Sequence, residues 1–170
     1  MPSMHMILSF AFAAGAALLL AAAAAQDMAL RIIPNAVCVG IALTGVMLQL
    51  ENGLVVRSLI YASLVFAGAV LCWKRGWMGG GDVKLLGAAA LVVPPHDVGD
   101  LLVLTALSGG VLSVIYLCLS RLLRATPTPQ PIGMFRRLVR AERWRICRGA
   151  PLPYGLAIAS GGIALLVTGS

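Results

Sequence analysis

The sequence has few charged residues. Only 11% of its 170 residues are Asp, Glu, Lys or Arg, whereas soluble globular domains carry about 25%. The hydrophobic share is 60% and the mean hydropathy is +0.95, and the apolar residues form long runs. The composition therefore excludes a soluble globular domain and predicts transmembrane helices. The short alternating segments of a β-barrel are lacking, so we expect an all-α, polytopic membrane helical bundle.

Cysteine and histidine are also scarce, and they are dispersed along the chain. The four cysteines and two histidines show no C-x-x-C or other metal-ligand spacing: Cys38, Cys72, Cys118, Cys147, His5 and His96. Such scattered residues favour reduced thiols and ordinary histidines over a zinc site or a disulfide framework. We therefore expect no metal and no cofactor.

The apolar runs predict six helices. They cover residues 4–26, 33–50, 54–73, 83–95, 100–120 and 152–168. About 20 residues span the hydrocarbon core, so the fourth segment is short, and Pro94 and Pro95 limit its extension. The first segment has no preceding Lys or Arg and is long for a signal-peptide core, so we expect it to remain as a helix. We expect one integral-membrane domain over residues 1–170.

Basic residues are concentrated in one loop. The net charge is +7, and eight arginines lie between Arg121 and Arg148. Basic residues beside membrane helices mark cytoplasmic loops and contact anionic headgroups of the lipid bilayer, so this pattern does not indicate a nucleic-acid partner. The loop at about 121–151 either only sets the topology or also contacts headgroups or a partner through an amphipathic segment at 134–146. With six helices, the N-terminus then lies outside.

This orientation brings two aspartates to one side of the membrane. Asp27 ends the first predicted helix and Asp82 opens the fourth, 55 positions later, so alternation of the helices places both on the cytoplasmic face. Carboxylates near or within a bilayer are costly and mark functional sites. Taken singly, Asp27 is typical of a polar helix end and Asp82 of a turn. Their joint position favours a shared site.

A pair of aspartates can catalyse hydrolysis. Two carboxylates held close together do not ionise together easily, so one keeps a proton while the other acts as a base. The base takes a proton from water, and the acid polarises the scissile carbonyl. Gly79, Gly80 and Gly81 leave room for a substrate backbone and permit positive φ angles in a tight turn, although a flexible loop is the plainer interpretation. Lys84 either reaches headgroups or adds to the field at the site.

The first aspartate is followed by a proline element. Asp27 precedes Pro34 by seven positions, and Pro34 lies between Ile33 and Asn35. Proline stops the first helix from running into the second and suits the first turn of the second helix. Arg31 lies four positions after Asp27 and would pair with it if the first helix extended that far.

The second aspartate lies in a glycine-rich motif. The pattern G-x-G-D-x-K-L is met by Gly79, Gly81, Asp82, Lys84 and Leu85. Together with the spacing from Asp27 to Pro34, this motif resembles the prepilin peptidases (type IV leader peptidases), a family of polytopic aspartic proteases of the GxGD type. The segment Pro153-Tyr154-Gly155, which opens the last helix, is a weaker likeness.

The resemblance implies an activity, a location and a partner. It implies cleavage of a prepilin leader just after a glycine, at the cytoplasmic face of the bacterial inner membrane, with Asp27 and Asp82 as the catalytic dyad. Substrate-binding or site-shaping roles would fall to Pro34, Asn35, Gly79, Gly80, Gly81 and Lys84. The pilus-assembly or secretion machinery is a further implied partner.

The sequence departs from the larger members of that family. Those carry a cytoplasmic insertion with paired C-x-x-C motifs and often methylate the new N-terminus; because no such insertion is visible, methyltransferase activity is not expected. The short form resembles the peptidases that serve Flp pili of tight-adherence systems. The alternative is a small membrane transporter or a pilus-assembly subunit that binds cations or protons through the aspartates. Their position near one interface, and the lack of a convincing internal repeat, favour the peptidase.

Overall fold

A computed structural model describes residues 4–122 and 152–168 of the chain. Six α-helices form most of this part: α1 Met4–Leu30, α2 Asn35–Glu51, α3 Val55–Lys74, α4 Gly80–Val92, α5 Val98–Leu122 and α6 Tyr154–Thr168. A short 3₁₀ turn, Pro95–Asp97, joins α4 to α5. No β-strand occurs in the described ranges, so the predicted all-α helical bundle is confirmed.

The helices differ in their capacity to cross a membrane. α1, α3 and the segment Pro95–Leu122, which contains α5, are long and apolar enough to do so, and α2 and α6 are shorter apolar helices. α4 is the shortest, with 13 residues. At 1.5 Å per residue it is about 20 Å long, against about 30 Å for a hydrocarbon core. α4 therefore needs protein rather than lipid around its ends.

The chain divides into two compact units. One contains residues 1–108 and 153–170, and the other contains residues 109–152. The first unit thus holds α1 to α4, the start of α5, and α6, and the packing described below belongs to it. The predicted basic loop at 121–151 lies outside the described residues, except for Arg121 and Leu122 at the end of α5.

α4 lies at the centre of the first unit. It packs against α2 and α3 and less extensively against α6, while α1 packs against α2 and α6. Eight of the 13 residues of α4 are buried. Small residues let helix backbones approach closely in a membrane, and Gly45 of α2 is the clearest example: a Cβ there would lie 2.8 Å from the backbone of Leu91 and Val92. α2 and α4 therefore cross in direct backbone contact.

Side chains from neighbouring helices satisfy the C-terminal end of α4. The last carbonyl groups of a helix have no intrahelical donor, and lipid supplies none. Gln49 Nε2 on α2 donates to the Val92 carbonyl at 3.1 Å, and Ser58 Oγ on α3 donates to the Leu91 carbonyl at 3.3 Å. Both donor residues are buried. These bonds allow a short helix to end inside the bundle.

Two predicted helix boundaries move in ways that affect the aspartates. α1 continues to Leu30 instead of ending at 26, because residues 27–30 contain no glycine or proline, and Asp27 lies inside its last turn. α4 begins at Gly80 instead of 83 and ends at Val92, before the prolines. Glycine disfavours helix interiors, but a first turn makes fewer backbone hydrogen bonds, so Gly80 and Gly81 are accommodated there.

Candidate active site

Three helix ends meet at one end of the first unit. Asp27 lies in the last turn of α1, Asp82 in the first turn of α4, and Gly155 in the first turn of α6. The Gly155 N–H donates to Asp27 Oδ2 at 2.8 Å. Asp82 lies within electrostatic range of Asp27. The structure thus brings together the two aspartates that the sequence separates by 55 positions.

Asp27 is buried against the N-terminus of α6. Its side chain is 6% exposed, and its Gly155 donor is one of the first N–H groups of a helix, which lack intrahelical partners and favour a negative charge. A Cβ at Gly155 would lie 2.8 Å from Asp27 Oδ2 and 3.0 Å from Asp27 Cβ. Only glycine therefore fits at this position without displacing the carboxylate.

Gly155 is the site residue that the sequence reasoning missed. In the sequence, its segment Pro153-Tyr154-Gly155 shows only a weak likeness to the family motifs at the start of the last helix. The available signal was topological, since alternation of six helices puts the start of α6 on the same side as Asp27 and Asp82.

Asp82 is tied to the start of its own helix. It is the third residue after the N-cap, Gly79, and its carboxylate interacts with the backbone N–H of Gly79. This is the geometry in which an acidic side chain of the first turn reaches back to the N-cap. A Cβ at Gly79 would lie 3.0 Å from Asp82 Oδ2, so the absence of a side chain at Gly79 leaves room for this carboxylate. Asp82 is half-buried.

The other two glycines of the motif lie within α4. A Cβ at Gly81 would make ordinary contacts with Ile33 at 3.6 Å, and one at Gly80 would lie 3.5 Å from Trp73 Nε1. The expectation that Gly79 to Gly81 supply a positive φ is wrong, because Gly79 has φ −71° and the next two residues are helical. The left-handed residue of this turn is Gly76, with φ 75°.

Asn35 and Lys84 form a link between α2 and α4, and Pro34 immediately precedes it in the chain. Pro34 is the N-cap of α2, with φ −63° and ψ 138°, one position before the first turn in which it was expected. Asn35 begins α2, and its Oδ1 accepts a hydrogen bond from Lys84 Nζ at 2.9 Å. Lys84 therefore ties the start of α2 to the start of α4.

Arg31 adopts a left-handed backbone conformation at the end of α1. Its φ is 57°, a conformation that costs a non-glycine residue roughly 1–2 kcal/mol. Its backbone N–H donates to the Asp27 carbonyl at 2.9 Å, and its charge lies within electrostatic range of Asp82. Strained backbone of this kind is concentrated at functional sites, and here it turns the chain from α1 toward Pro34.

The assembled groups can perform acid–base chemistry. Two carboxylates lie within electrostatic range of each other, each beside the backbone N–H of a helix start, and the Arg31 charge also acts on Asp82. Like-charged carboxylates at close range favour a shared proton. Among residues 4–122 and 152–168, no three His, Cys, Asp or Glu residues group as metal ligands would.

Comparison with known proteins yields one match. A family model described as the type IV leader peptidase family matches residues 14–117, which is more than half of the chain. The matched range includes Asp27, Asp82 and the links around them but ends before Gly155. Neither the comparison with curated proteins nor the comparison with solved structures finds a match.

Proposed function

The chain belongs to the type IV leader peptidase family, and on that basis we propose that it is a membrane-embedded aspartic endopeptidase that removes the leader from Flp-like type IV prepilins. That it is an integral membrane protein of a peptidase family rests on the family match and on its long apolar helices. The aspartic mechanism, the class of pilin and the face of cleavage are the proposal.

One observation supports the aspartic mechanism above the others. Asp27 and Asp82 lie within electrostatic range of each other at one end of the bundle, and each interacts with the backbone N–H of a helix start, Gly155 and Gly79 respectively. A backbone N–H can position a carboxylate by hydrogen bonding without exchanging a proton with it, as a titratable side chain would. Residues whose geometry is held by the main chain are preorganised for catalysis.

The proposed mechanism divides two roles between the aspartates. One carboxylate takes a proton from a water molecule, and the water oxygen attacks the scissile carbonyl carbon. The other aspartate, which is protonated, donates a hydrogen bond to the carbonyl oxygen and then its proton as the tetrahedral intermediate forms. The first aspartate then gives the proton it took from water to the amide nitrogen while the second takes one from a hydroxyl of the intermediate, so that the C–N bond breaks and the pair again holds one proton. This division of roles requires one proton on the pair, so activity is expected only over the pH range in which the pair holds one proton.

The face of cleavage follows from the distribution of basic residues. Eight arginines between Arg121 and Arg148, together with Lys74 and Arg75, lie at the same end of the predicted topology as the aspartates. Such residues mark cytoplasmic segments. The precursor would therefore present its leader at the cytoplasmic face while its own apolar helix lies in the bilayer, which suits a protease with so little polar surface.

Single substitutions of the aspartates test the mechanism. Asp27→Asn and Asp82→Asn each remove a titrating group but keep a polar side chain of the same size, and we expect cleavage of a purified Flp-like prepilin in lipid vesicles to fall at least about 100-fold. Leader removal would be followed by mass spectrometry of the product N-terminus. Asp100→Asn, an exposed residue at the start of α5, is the matched control and should retain full activity.

The assay also separates the competing interpretations. Normal processing by either Asp27→Asn or Asp82→Asn would contradict the dyad. An inactive wild-type protein whose aspartate variants instead change cation or proton flux across the vesicles would favour the transporter alternative.

A further inference from the structure

The connection between α1 and α2, residues 31–34, lies against the start of α4. Ile33 in this connection is buried, and a Cβ on Gly81 would lie 3.6 Å from both its Cβ and its Cδ1. Gly81 is the residue before Asp82, and Arg31 lies two positions before Ile33 and four after Asp27. Arg31 therefore occupies the short stretch of chain that leads from one aspartate to the neighbourhood of the other.

The backbone at Arg31 has a conformation that suits glycine. Its φ is 57°, where a side chain causes strain and glycine does not. Its N–H donates to the Asp27 carbonyl at 2.9 Å, the hydrogen bond of a left-handed helix end, at which glycine is the usual residue. An arginine at such a position indicates that its side chain has a role that compensates for the strain.

The side chain of Arg31 differs from that of an ordinary interfacial arginine. Basic side chains beside a membrane usually extend along apolar surface and keep the charged head in water. Arg75, at the end of α3, is exposed in this way and lies over Trp77, 5.3 Å from the ring centroid. Arg31 is half-buried and its Nε atom is buried, so its guanidinium begins inside the protein.

Charges of opposite sign act on Asp82 from the α1 side. The Asp27 carboxylate and the Arg31 guanidinium both lie within electrostatic range of it. A like charge disfavours the ionised form of a carboxylate, and an opposite charge favours it. Lys84, on α4 itself, is bonded to the Asn35 amide. The other titratable groups at this end of the elements packed against α4 are Cys38, Cys72, Lys74, Arg75 and Tyr154.

We propose that Arg31 is a positioning residue of the aspartate pair: the left-handed turn after α1 holds its guanidinium beside the two carboxylates, where the positive charge stabilises the singly protonated pair at neutral pH. The inference rests on the proposed function, because this pair is the dyad of that reaction. Burial and mutual repulsion alone would favour two protonated carboxyl groups. A pair in that state contains no base that can take a proton from water.

The pH dependence of cleavage tests the role of the charge. Arg31→Gln removes the charge but keeps a polar side chain, and Arg31→Lys keeps the charge. Because loss of the cation makes both carboxylates easier to protonate, we expect cleavage of a purified prepilin in vesicles to peak about one pH unit higher in Arg31→Gln. Arg31→Lys should peak near the wild-type pH. Arg75→Gln, which removes an exposed arginine at the same end, is the matched control and should leave the optimum unchanged.

Arg31→Gly separates the side chain from the turn. Glycine adopts a φ of 57° without strain, so this variant should keep the turn, and thermal unfolding in detergent would verify that it is folded. We expect its pH optimum to move as far as that of Arg31→Gln. A wild-type optimum in Arg31→Gly would assign the role to the backbone conformation and overturn the inference.

Infrared titration distinguishes the inference from the function on which it rests. The C=O stretch of protonated carboxyl groups is recorded against pH in lipid films, as the difference between each protein and its Asp82→Asn counterpart, and needs no substrate. We expect the midpoint for Asp82 to lie about one pH unit higher in Arg31→Gln than in wild type. An unchanged midpoint, or an equal shift in Arg75→Gln, would overturn the inference and leave the peptidase standing. A wild-type protein that leaves the prepilin intact would refute the proposed function, while the titration still decides whether Arg31 acts on the pair.

Discussion

Gly155 and Gly79 lie against the carboxylates of Asp27 and Asp82, and an added Cβ would lie 2.8 Å and 3.0 Å, respectively, from the nearest carboxylate oxygen. The two contacts differ in what surrounds them. At Gly155 an added Cβ meets both Oδ2 and Cβ of the buried Asp27, so rotation of the carboxylate alone does not relieve the overlap. At Gly79 it meets only one oxygen of the half-buried Asp82, which has more freedom to move.

Gly155→Ala should therefore inactivate the protein without unfolding it. The new Cβ would lie 2.8 Å from Asp27 Oδ2, so Asp27 or the start of α6 must shift by a fraction of an ångström to about 1 Å. Misplacement on that scale costs up to about 100-fold in rate. The measurement is the rate of prepilin cleavage in vesicles, with thermal unfolding in detergent as the test of folding.

Gly68→Ala is the matched control for that substitution. Gly68 also lies within an apolar helix, α3, but a Cβ there has no neighbour within 4 Å. Gly68→Ala should leave the rate of cleavage unchanged. Because alanine has a higher helix propensity than glycine, it should not lower the unfolding temperature. Equal activity of Gly155→Ala and Gly68→Ala would show that the contact with Asp27 does not position the carboxylate.

Some residues of the site could be predicted from the sequence and others could not. Asp27 and Asp82 could be predicted because a carboxylate is conspicuous among apolar residues and because topology puts both on one side. The part played by Gly155 could not be, since it depends on a backbone N–H and on the lack of a side chain. The positive φ of Arg31 could not be predicted either, because in a sequence it is glycine that indicates a left-handed conformation.

At the scale of the helices, α4 is the element that positions the site. It begins with the aspartate motif and ends at Val92, short of the thickness of a hydrocarbon core,. Its length could be anticipated from the glycines before it and the prolines after it. How its free carbonyl groups are satisfied could not be anticipated, because Gln49 and Ser58 lie on other helices and far from the end of α4 in sequence.

Ser58→Ala should lower the stability of the bundle. It removes the hydrogen bond to the Leu91 carbonyl, at 3.3 Å, and leaves that partly buried group with one donor fewer. Hydrogen bonds between membrane helices contribute about 0.5–1 kcal/mol each. The expected result is a lower midpoint of thermal unfolding in detergent micelles, together with faster proteolysis at the α4 end.

Ser160→Ala provides the comparison. The Ser160 hydroxyl donates only to the Ala157 carbonyl of its own helix, at 2.9 Å, and Ser160 is exposed. Its removal should change the unfolding midpoint less than removal of Ser58. A Ser58→Ala protein as stable as Ser160→Ala would mean that the contact between α3 and α4 does not hold the end of α4.

At the scale of the first unit, the charged residues lie near the ends of the helices, as helix alternation requires. The start of α1 and the end of α2 meet where His5 Nδ1 lies 3.0 Å from Glu51 Oε2, and the aspartate pair lies at the opposite ends of those helices. Six alternating helices could be predicted from the apolar runs. The convergence of α1, α4 and α6 on one point could not, since sequence order says nothing about which helices are neighbours.

The orientation of that aspartate end decides whether the proposed substrate can reach it. Trp77, 71% exposed, lies in the turn between α3 and α4 beside Lys74 and Arg75, and Asn52 lies in the turn between α2 and α3 at the other end. Because basic residues are retained in the cytoplasm, Trp77→Cys should react with a membrane-impermeant maleimide only in inverted vesicles. Asn52→Cys should react in intact spheroplasts; both are made in a background without native cysteines. The reverse labelling pattern would mean that the aspartate end faces outward, where a leader that remains in the cytoplasm could not reach it.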